Sequence, residues 1–219
     1  MKIFLDTADV SEIKKLAETG LIDGVTTNPT HLSKEGDDPT KLVKQICKLL
    51  PHGEISVEIT KLDTQEVYKQ AIAISKLSKN VLVKVPCYRD YYPVIAELVR
   101  KKVRVNVTLV FSVLQGLMMC KLGVRYISPF VGRLDDSKVD GAKVLYELRD
   151  MIDWYGFDTG ILAASIRNGD RFKDAILAGA DAVTVPVAVF DEATEHILTN
   201  KGMAKFSQDW KKLHIKRFP

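Results

Sequence analysis

A lysine lies inside an apolar segment, Val81–Pro86, that otherwise has the composition of a buried strand. Burying an ammonium group is unfavourable unless the protein pairs the charge or uses the amine. Lys84 is therefore either half of a buried ion pair or a reactive group. The free amine of a lysine attacks carbonyl carbons to form a Schiff base, so the second alternative predicts imine chemistry.

Other polar side chains recur near the ends of strand-like segments. Taken singly, each is explained as a hydrogen-bonded residue that terminates a strand. Taken together, a lysine, two carboxylates and two amides supply a nucleophile, acid–base groups and orienting donors, which favours carbonyl chemistry through an imine. The candidates are Asp6, Thr26, Asn28, Glu58, Lys84, Asn106, Thr108, Ser128 and Ser165.

Two arginines add a second function to this set. Arg133 follows the sixth strand-like segment, and Arg167 follows Ser165 where the seventh gives way to a helix N-terminus. Helix N-termini and guanidinium groups both bind phosphate. No GxGxxG or P-loop motif offers a competing phosphate site. Arg133, Ser165 and Arg167 are thus predicted to form a phosphate clamp.

The elements that must position these residues alternate along the chain. Segments rich in Val, Ile and Thr are predicted strands, and segments with helical spacing, several opened by capping-box pairs such as Asp9 with Glu12, separate them. Eight such units favour an α/β fold, a single (β/α)8 TIM barrel over residues 1–198, rather than a doubly wound sheet. The predicted strands are 2–7, 24–28, 54–60, 80–86, 104–110, 125–131, 160–165 and 182–187.

One segment, 199–219, remains after the eighth unit and is predicted to form an extra C-terminal helix and tail. Its apolar residues Met203, Phe206, Trp210 and Leu213 fall on or near one helical face. That face must be buried somewhere. The helix could pack on its own barrel or on a neighbouring subunit, and the sequence alone does not choose between them.

The cysteines and histidines do not point to a metal site. Three widely spaced cysteines without a CxxC pair indicate reduced thiols, and the histidines lack HxxxH spacing, so surface or loop positions without a role are the simpler interpretation. We predict no metal and no cofactor. These residues are Cys47, Cys87, Cys120, His31, His52, His196 and His214.

Charge and hydropathy argue against two classes of partner. The net charge of +4 is mild, and the basic C-terminal residues are more simply a solvated tail than a nucleic-acid footprint. The longest uncharged stretch, 105–120, is shorter and more polar than the roughly 20 apolar residues of a spanning helix. The N-terminus reaches Asp6 without a secretory apolar region. We predict a cytoplasmic protein that binds neither nucleic acid nor membranes.

The candidate residues lie in motifs whose joint occurrence, in this order, resembles the transaldolase family. More narrowly, the chain resembles the short, barrel-only branch that contains small transaldolases and fructose-6-phosphate aldolases. The resemblance spans nearly the whole chain. Its motifs are FLDTA at 4–8, GVTTNPT at 24–30, Lys84, NVTL at 106–109, SPFVGR at 128–133 and ASIR at 164–167.

The resemblance implies a class I aldol mechanism. Lys84 would form an imine with the carbonyl of fructose 6-phosphate or sedoheptulose 7-phosphate, and Asp6 would move the proton of the hydroxyl beside the breaking carbon–carbon bond. Glu58 and Thr108 would position the water of imine formation and hydrolysis. Residues that would hold the dihydroxyacetone unit are Asn28, Asn106 and Ser128, and those that would bind the phosphate are Arg133, Ser165 and Arg167.

Two positions separate the activities within this branch. Aldolases of the branch have glutamine where this chain has Glu58 and tyrosine where it has Phe130, so the resemblance favours transaldolase. The alternatives are a fructose-6-phosphate aldolase and a sugar-phosphate-binding protein without turnover. Members of the branch form rings of subunits through the C-terminal helix, which predicts a pentamer or decamer. The chain departs from the usual pattern at His31 and in the loop 87–92.

Overall fold

The computed structural model describes residues 1–36 and 38–213 of the 219-residue chain. The part of the predicted tail that comprises residues 214–219, with His214, Lys216 and Arg217, lies outside the described residues. No helix in the described ranges is both long enough and apolar enough to cross a membrane.

The eight predicted strands form a closed parallel barrel, which confirms the (β/α)8 architecture. Each strand pairs with the next along the chain, and the eighth pairs with the first. The observed strands are shorter than the predicted segments, by up to two residues at their C-terminal ends, because the chain turns away to start each loop. They are β1 (Lys2–Asp6), β2 (Gly24–Thr26), β3 (Glu54–Glu58), β4 (Val81–Pro86), β5 (Val105–Val110), β6 (Tyr126–Pro129), β7 (Gly160–Ala163) and β8 (Ala182–Val185).

Helices cover the outside of the barrel, and their starts follow the capping signals of the sequence. Asp9, Asp63 and Ser112 each accept hydrogen bonds from backbone N–H groups of the first helical turn. The helices in the described residues are α1 (Val10–Ala17), α2 (Pro29–Lys34), α3 (Pro39–Leu49), α4 (Thr64–Ser75), α5 (Tyr92–Arg100), α6 (Val113–Leu122), α7 (Val131–Asp136), α8 (Gly141–Tyr155), α9 (Gly169–Leu177), α10 (Val187–Thr194) and α11 (Ile197–Lys212), with a 3-10 turn at Arg89–Tyr91.

The barrel interior is filled in layers. Its middle is an apolar cluster, separate from the main core between barrel and helices, in which the rings of Phe4 and Tyr126 lie edge to face. A side chain at Gly24 would collide with the Phe4 ring and one at Gly160 with the Tyr126 ring, so both glycines are required by this packing. The cluster comprises Phe4, Leu82, Tyr126, Leu162 and Ala182.

A buried carboxylate closes the end of the barrel at which the strands begin. Glu54 accepts hydrogen bonds from the Lys2 ammonium at 2.7 Å and the Tyr126 hydroxyl at 2.9 Å, and Arg104 and Arg125 approach it to 3.2 and 3.8 Å. Burial raises the pKa of Glu54, but the hydrogen bonds and cations outweigh burial and bring that pKa below its ordinary value. The Glu54 carboxylate is therefore fully compensated by its neighbours.

The extra C-terminal helix exists and begins at Ile197, two residues before the predicted boundary. None of its residues is buried, and Met203, Phe206 and Leu213 are more than half exposed. Its stripe is therefore not buried against its own barrel.

Candidate active site

Lys84 lies buried near the C-terminal end of β4, where the barrel opens to its loops. Its Nζ contacts Glu58 Oε2 at 3.0 Å and donates to the backbone carbonyl of Thr27 at 3.4 Å. Glu58, Lys84 and Asn106 are register partners on three successive strands, so they lie in one row across the sheet. The row places an amine, a carboxylate and an amide side by side at the end of the barrel that carries active sites in this fold.

Asp6 ends β1 and is held by a chain of hydroxyl groups. Thr26 Oγ1 donates to Asp6 Oδ1 at 2.9 Å and lies 2.7 Å from Thr184 Oγ1 on β8. No described residue donates a hydrogen bond to Asp6 Oδ2, so that oxygen is available to a ligand. The carboxylate is one-quarter exposed, which gives it access to the barrel mouth. Thr26 is thus a support for Asp6.

Asn28 follows β2 and caps α2. Its Oδ1 accepts a hydrogen bond from the backbone N–H of His31 at 2.9 Å, and its Nδ2 lies 3.2 Å from His31 Nδ1. His31 Nδ1 is also 3.6 Å from Asp6 Oδ1. The prediction of a surface or loop position is wrong for His31, which lies in α2 with a largely buried side chain. Its ring joins two candidate residues.

Asn106 and Ser128 lie deeper in the barrel and are buried. Asn106 Nδ2 donates to Ser56 Oγ at 3.0 Å, and Asn106 Oδ1 accepts from Ser128 Oγ at 2.8 Å. These two bonds connect β3, β5 and β6 across the barrel interior. The structure brings the predicted pair together and adds Ser56, a link that the sequence analysis missed because nothing in its local pattern distinguishes an inward-facing serine.

Thr108 is the unsatisfied group of the site. Its Oγ1 is buried and has no hydrogen-bond partner among the described residues, a state that is rare for a buried hydroxyl. The next residue, Leu109, has a left-handed backbone with φ +57°, and the pairing of β5 with β6 is irregular at this point. Such strain in a non-glycine residue is typical of functional sites.

The residues predicted to bind phosphate lie at the ends of β6 and β7. The backbone N–H of Gly132 donates to the Ser165 carbonyl at 3.0 Å, and any side chain at Gly132 would collide with Arg167. Ser165 lies beyond the end of β7 rather than within it, in a left-handed conformation with φ +59°. Arg133 stacks on Phe130 with 5.1 Å between guanidinium carbon and ring centroid.

Arg167 already has an anionic partner. Its two terminal nitrogens donate to the two carboxylate oxygens of Asp136 at 2.5 and 2.6 Å. The hydrogen bond from Arg167 holds the pKa of Asp136 below its usual range. The pair fixes the plane of the guanidinium and leaves its other N–H groups available. Arg167 precedes the helix cap Asn168 of α9, as the sequence predicted.

The loop after β4 packs beside the lysine strand. Cys87 Sγ lies 3.7 Å from the Tyr92 hydroxyl, and burial raises the pKa of the Cys87 thiol. Burial also raises the pKa of Tyr92 to about 12. Both groups stay protonated at neutral pH, so this Cys87–Tyr92 contact adds no charge beside Lys84. No three His, Cys, Asp or Glu side chains within 1–36 and 38–213 are arranged to hold a metal ion.

Sequence comparisons agree with this geometry. The family model described as "Transaldolase/Fructose-6-phosphate aldolase" matches residues 3–216. Proteins named probable transaldolase are similar to the chain throughout: 46% identical over 211 residues in Lactiplantibacillus plantarum (96% of this chain and 97% of that one), 46% over 213 residues in Parvibaculum lavamentivorans (97% and 97%), and 44% over 214 residues in Leptospira biflexa (98% and 100%). With a buried lysine at the open end of its eight-stranded barrel, the chain belongs to the transaldolase/fructose-6-phosphate aldolase family.

Proposed function

We propose that the protein is a transaldolase of the pentose phosphate pathway. It transfers a dihydroxyacetone unit from sedoheptulose 7-phosphate to glyceraldehyde 3-phosphate, giving erythrose 4-phosphate and fructose 6-phosphate. The observation that carries the proposal is the buried Lys84 amine beside Glu58 at the mouth of the barrel. An amine in this position meets the carbonyl of a bound ketose without competition from bulk water.

The first step is imine formation on Lys84. The amine attacks C2 of the ketose, and the carbinolamine loses its oxygen as water to give the Schiff base. Glu58, 3.0 Å from Nζ, accepts the proton that the ammonium must lose and returns one to the departing hydroxyl. Thr108 Oγ1, unpartnered and buried, supplies a hydrogen bond that holds this water.

The second step breaks the C3–C4 bond of the donor. Asp6 takes the proton of the C4 hydroxyl, the C4 oxygen becomes the aldehyde of erythrose 4-phosphate, and the bonding electrons move into the Schiff base as an enamine. The free Oδ2 of Asp6 suits this task because Thr26 bonds only Oδ1. Asn28, Asn106 and Ser128 hold the hydroxyls of the three-carbon unit. Addition to the acceptor aldehyde reverses the sequence.

The phosphate of either sugar lies at the clamp of Arg133, Ser165 and Arg167. Arg167 uses its remaining N–H groups for this ligand while Asp136 keeps its guanidinium in place. Arg133 is held over Phe130 on the other side. Two guanidinium groups on neighbouring strand ends provide the charge that a phosphate dianion needs.

The decisive experiment incubates the purified protein with fructose 6-phosphate, with and without erythrose 4-phosphate, and quantifies sedoheptulose 7-phosphate, glyceraldehyde 3-phosphate and free dihydroxyacetone. Consumption that requires the acceptor supports the transaldolase. Steady release of dihydroxyacetone without acceptor indicates the aldolase, and no turnover indicates a binding protein. Borohydride reduction followed by peptide mass spectrometry is expected to place a dihydroxyacetone adduct on Lys84, with Lys84→Arg as the unlabelled control.

An aldolase is the second candidate because it uses the same lysine chemistry and the same family model covers both activities. Phe130 carries no hydroxyl, and its ring packs on Phe111 with centroids 6.0 Å apart rather than contributing to the water site. Phe130→Tyr adds a hydroxyl near the imine and is expected to raise acceptor-free release of dihydroxyacetone about tenfold, since hydrolysis gains a proton donor. Unchanged release would contradict this account of the specificity, and Phe111→Tyr serves as the matched control.

The same proposal includes a homo-oligomer, a pentamer or decamer, built through α11 with residues 199–219 packed on a neighbouring subunit. The exposed side chains of Met203, Phe206 and Leu213 support it, because a stripe of this kind gains free energy when a second surface covers it. Deleting the chain from Thr199 onward is expected to give smaller species by light scattering. We also place the protein in the cytoplasm, where its sugar phosphates occur.

A further inference from the structure

His31 is the one histidine of the described chain that joins two members of the candidate site, and the mechanism above does not use it. Its backbone N–H can only donate, so the Asn28 atom that it bonds is Oδ1 and the Asn28 atom that faces the ring is Nδ2. Nδ2 is a donor, so this contact is a hydrogen bond when His31 Nδ1 accepts, as it does in the neutral imidazole with its proton on Nε2.

Protonation at Nδ1 reverses this contact. The protonated ring has no acceptor, so it loses the Asn28 hydrogen bond and faces Asp6 Oδ1, 3.6 Å away, as a cation at ion-pair distance. The same nitrogen therefore serves the substrate-binding amide in one state and the catalytic carboxylate in the other.

We propose that His31 is a positioning residue, an inference that rests on the proposed function. Its neutral ring orients Asn28 for the dihydroxyacetone unit. Its protonated ring pairs with Asp6 and withdraws that carboxylate from proton transfer. The charged groups around this strand end are Asp6 on β1 and the Lys84–Glu58 pair of β4 and β3, which reaches the carbonyl of Thr27. On α2 itself, Lys34 lies one turn further along the helix, and Glu35 follows it as the C-cap residue.

The kinetic test compares kcat/KM for fructose 6-phosphate with erythrose 4-phosphate at about pH 8 and about pH 5.5. Acidification over this interval favours the protonated imidazole over the neutral one. Wild type is therefore expected to lose about threefold to tenfold more activity on acidification than His31→Leu or His31→Gln. Because glutamine can both accept from Asn28 and donate to Asp6, His31→Gln is expected to restore the KM at pH 8 that His31→Leu raises. Equal acid losses in all three proteins would overturn the proposal.

An NMR titration of the His31 ring in the resting protein separates this proposal from the proposed function. Asp6→Asn removes the anion that favours the protonated ring, so the titration midpoint moves to lower pH. Asn28→Ser keeps a helix cap but removes the amide donor that favours the neutral ring, so the midpoint moves to higher pH. Midpoints unchanged in both variants would overturn the role of His31 even if turnover is observed. Opposite shifts would support it even if the sugar phosphates are not turned over.

Discussion

Each end of the barrel interior contains a carboxylate close to a lysine, buried in the case of Glu54 and partly exposed in the case of Glu58, and the two carboxylates differ in their other partners. At the end where the strands begin, Glu54 has Lys2, Arg104, Arg125 and the Tyr126 hydroxyl as partners. At the opposite end, Glu58 has only Lys84 within ion-pair distance among the described residues.

This difference in the number of partners separates charged groups that the folded chain compensates by itself from polar groups that remain available to a ligand. The closed end uses four groups to satisfy one carboxylate, as buried charges require. The open end keeps a hydroxyl on Thr108 without a partner and holds Leu109 and Ser165 in left-handed conformations. Polar groups that lack partners until a substrate binds lower the stability of the folded chain, but they can form hydrogen bonds with that substrate. Four substitutions test this division between the two ends.

Lys84→Met is expected to have the largest effect, on activity alone. It removes the nucleophile, so turnover falls by at least about 10⁴-fold, equivalent to about 5.4 kcal/mol at 1.36 kcal/mol per decade. The apolar replacement removes the cost of burying an ammonium group, and Glu58 keeps some contact with solvent when it loses its cation. These two effects offset each other, so stability stays within about 1 kcal/mol. End-point assays of product formation measure the turnover, and urea denaturation measures the free energy of unfolding. Residual turnover within tenfold of wild type would rule out an imine on this lysine.

Glu54→Gln is expected to reduce stability and spare turnover. It leaves three partly exposed cations without their shared anion, which costs about 2 kcal/mol after allowance for solvent screening. Urea denaturation gives the loss, and kcat per folded molecule is the control. A large loss of kcat with normal stability would show that the two ends are not independent.

The contribution of Glu54 to the stability of the protein depends on pH. The lowered pKa of Glu54 means that the folded chain protonates this group at a lower pH than the unfolded chain does. Its stabilisation is present above the ordinary value of 4.5 and is lost as the pH falls through the lower folded value. The stability difference between wild type and Glu54→Gln should therefore shrink in acid, and a constant difference down to strongly acidic pH would contradict the assignment.

Thr108→Val sharpens the comparison between the two ends because it is expected to raise stability and to lower activity. Valine keeps the shape and removes a buried hydroxyl that has no partner, so stability rises by about 1 kcal/mol. Loss of the hydrogen bond to the catalytic water lowers kcat by about tenfold. Thr184→Val is the matched control, since that hydroxyl is already hydrogen-bonded and its removal should destabilise the protein.

Asp136→Asn is expected to have the smallest effect. The Arg167 guanidinium loses its bidentate partner and samples more orientations, so the KM for fructose 6-phosphate rises about threefold at unchanged kcat. Unphosphorylated fructose is the control donor, because its KM does not depend on the clamp. An equal rise for both donors would remove Arg167 from the phosphate site.

The sequence predicted the barrel well because each of its signals is local. Capping residues such as Asp9 and Ser112 and the β-branched runs act over a few positions, and the register then follows from closing eight parallel strands. Lys84 was identifiable because a charge inside an apolar run violates a local rule.

Contacts between distant segments were not predictable in the same way. Ser56 beside Asn106, and His31 beside Asp6, depend on rotamers and on where a short helix starts, which the one-dimensional pattern does not encode. The Arg167–Asp136 pair likewise joins two helix ends that are 31 positions apart. The sequence singled out Arg167 by its residue type and position, but it did not predict the Asp136 partner.

The hydroxyl chain that holds Asp6 has a consequence for biosynthesis. It runs from Asp6 on the first strand through Thr26 to Thr184 on the last, across the seam that closes the barrel. During synthesis, Lys84 and Glu58 are made long before residue 184. In the proposed mechanism the hydroxyl chain that orients Asp6 is complete only when the eighth strand has joined the barrel, so aldol activity is expected only from the closed barrel.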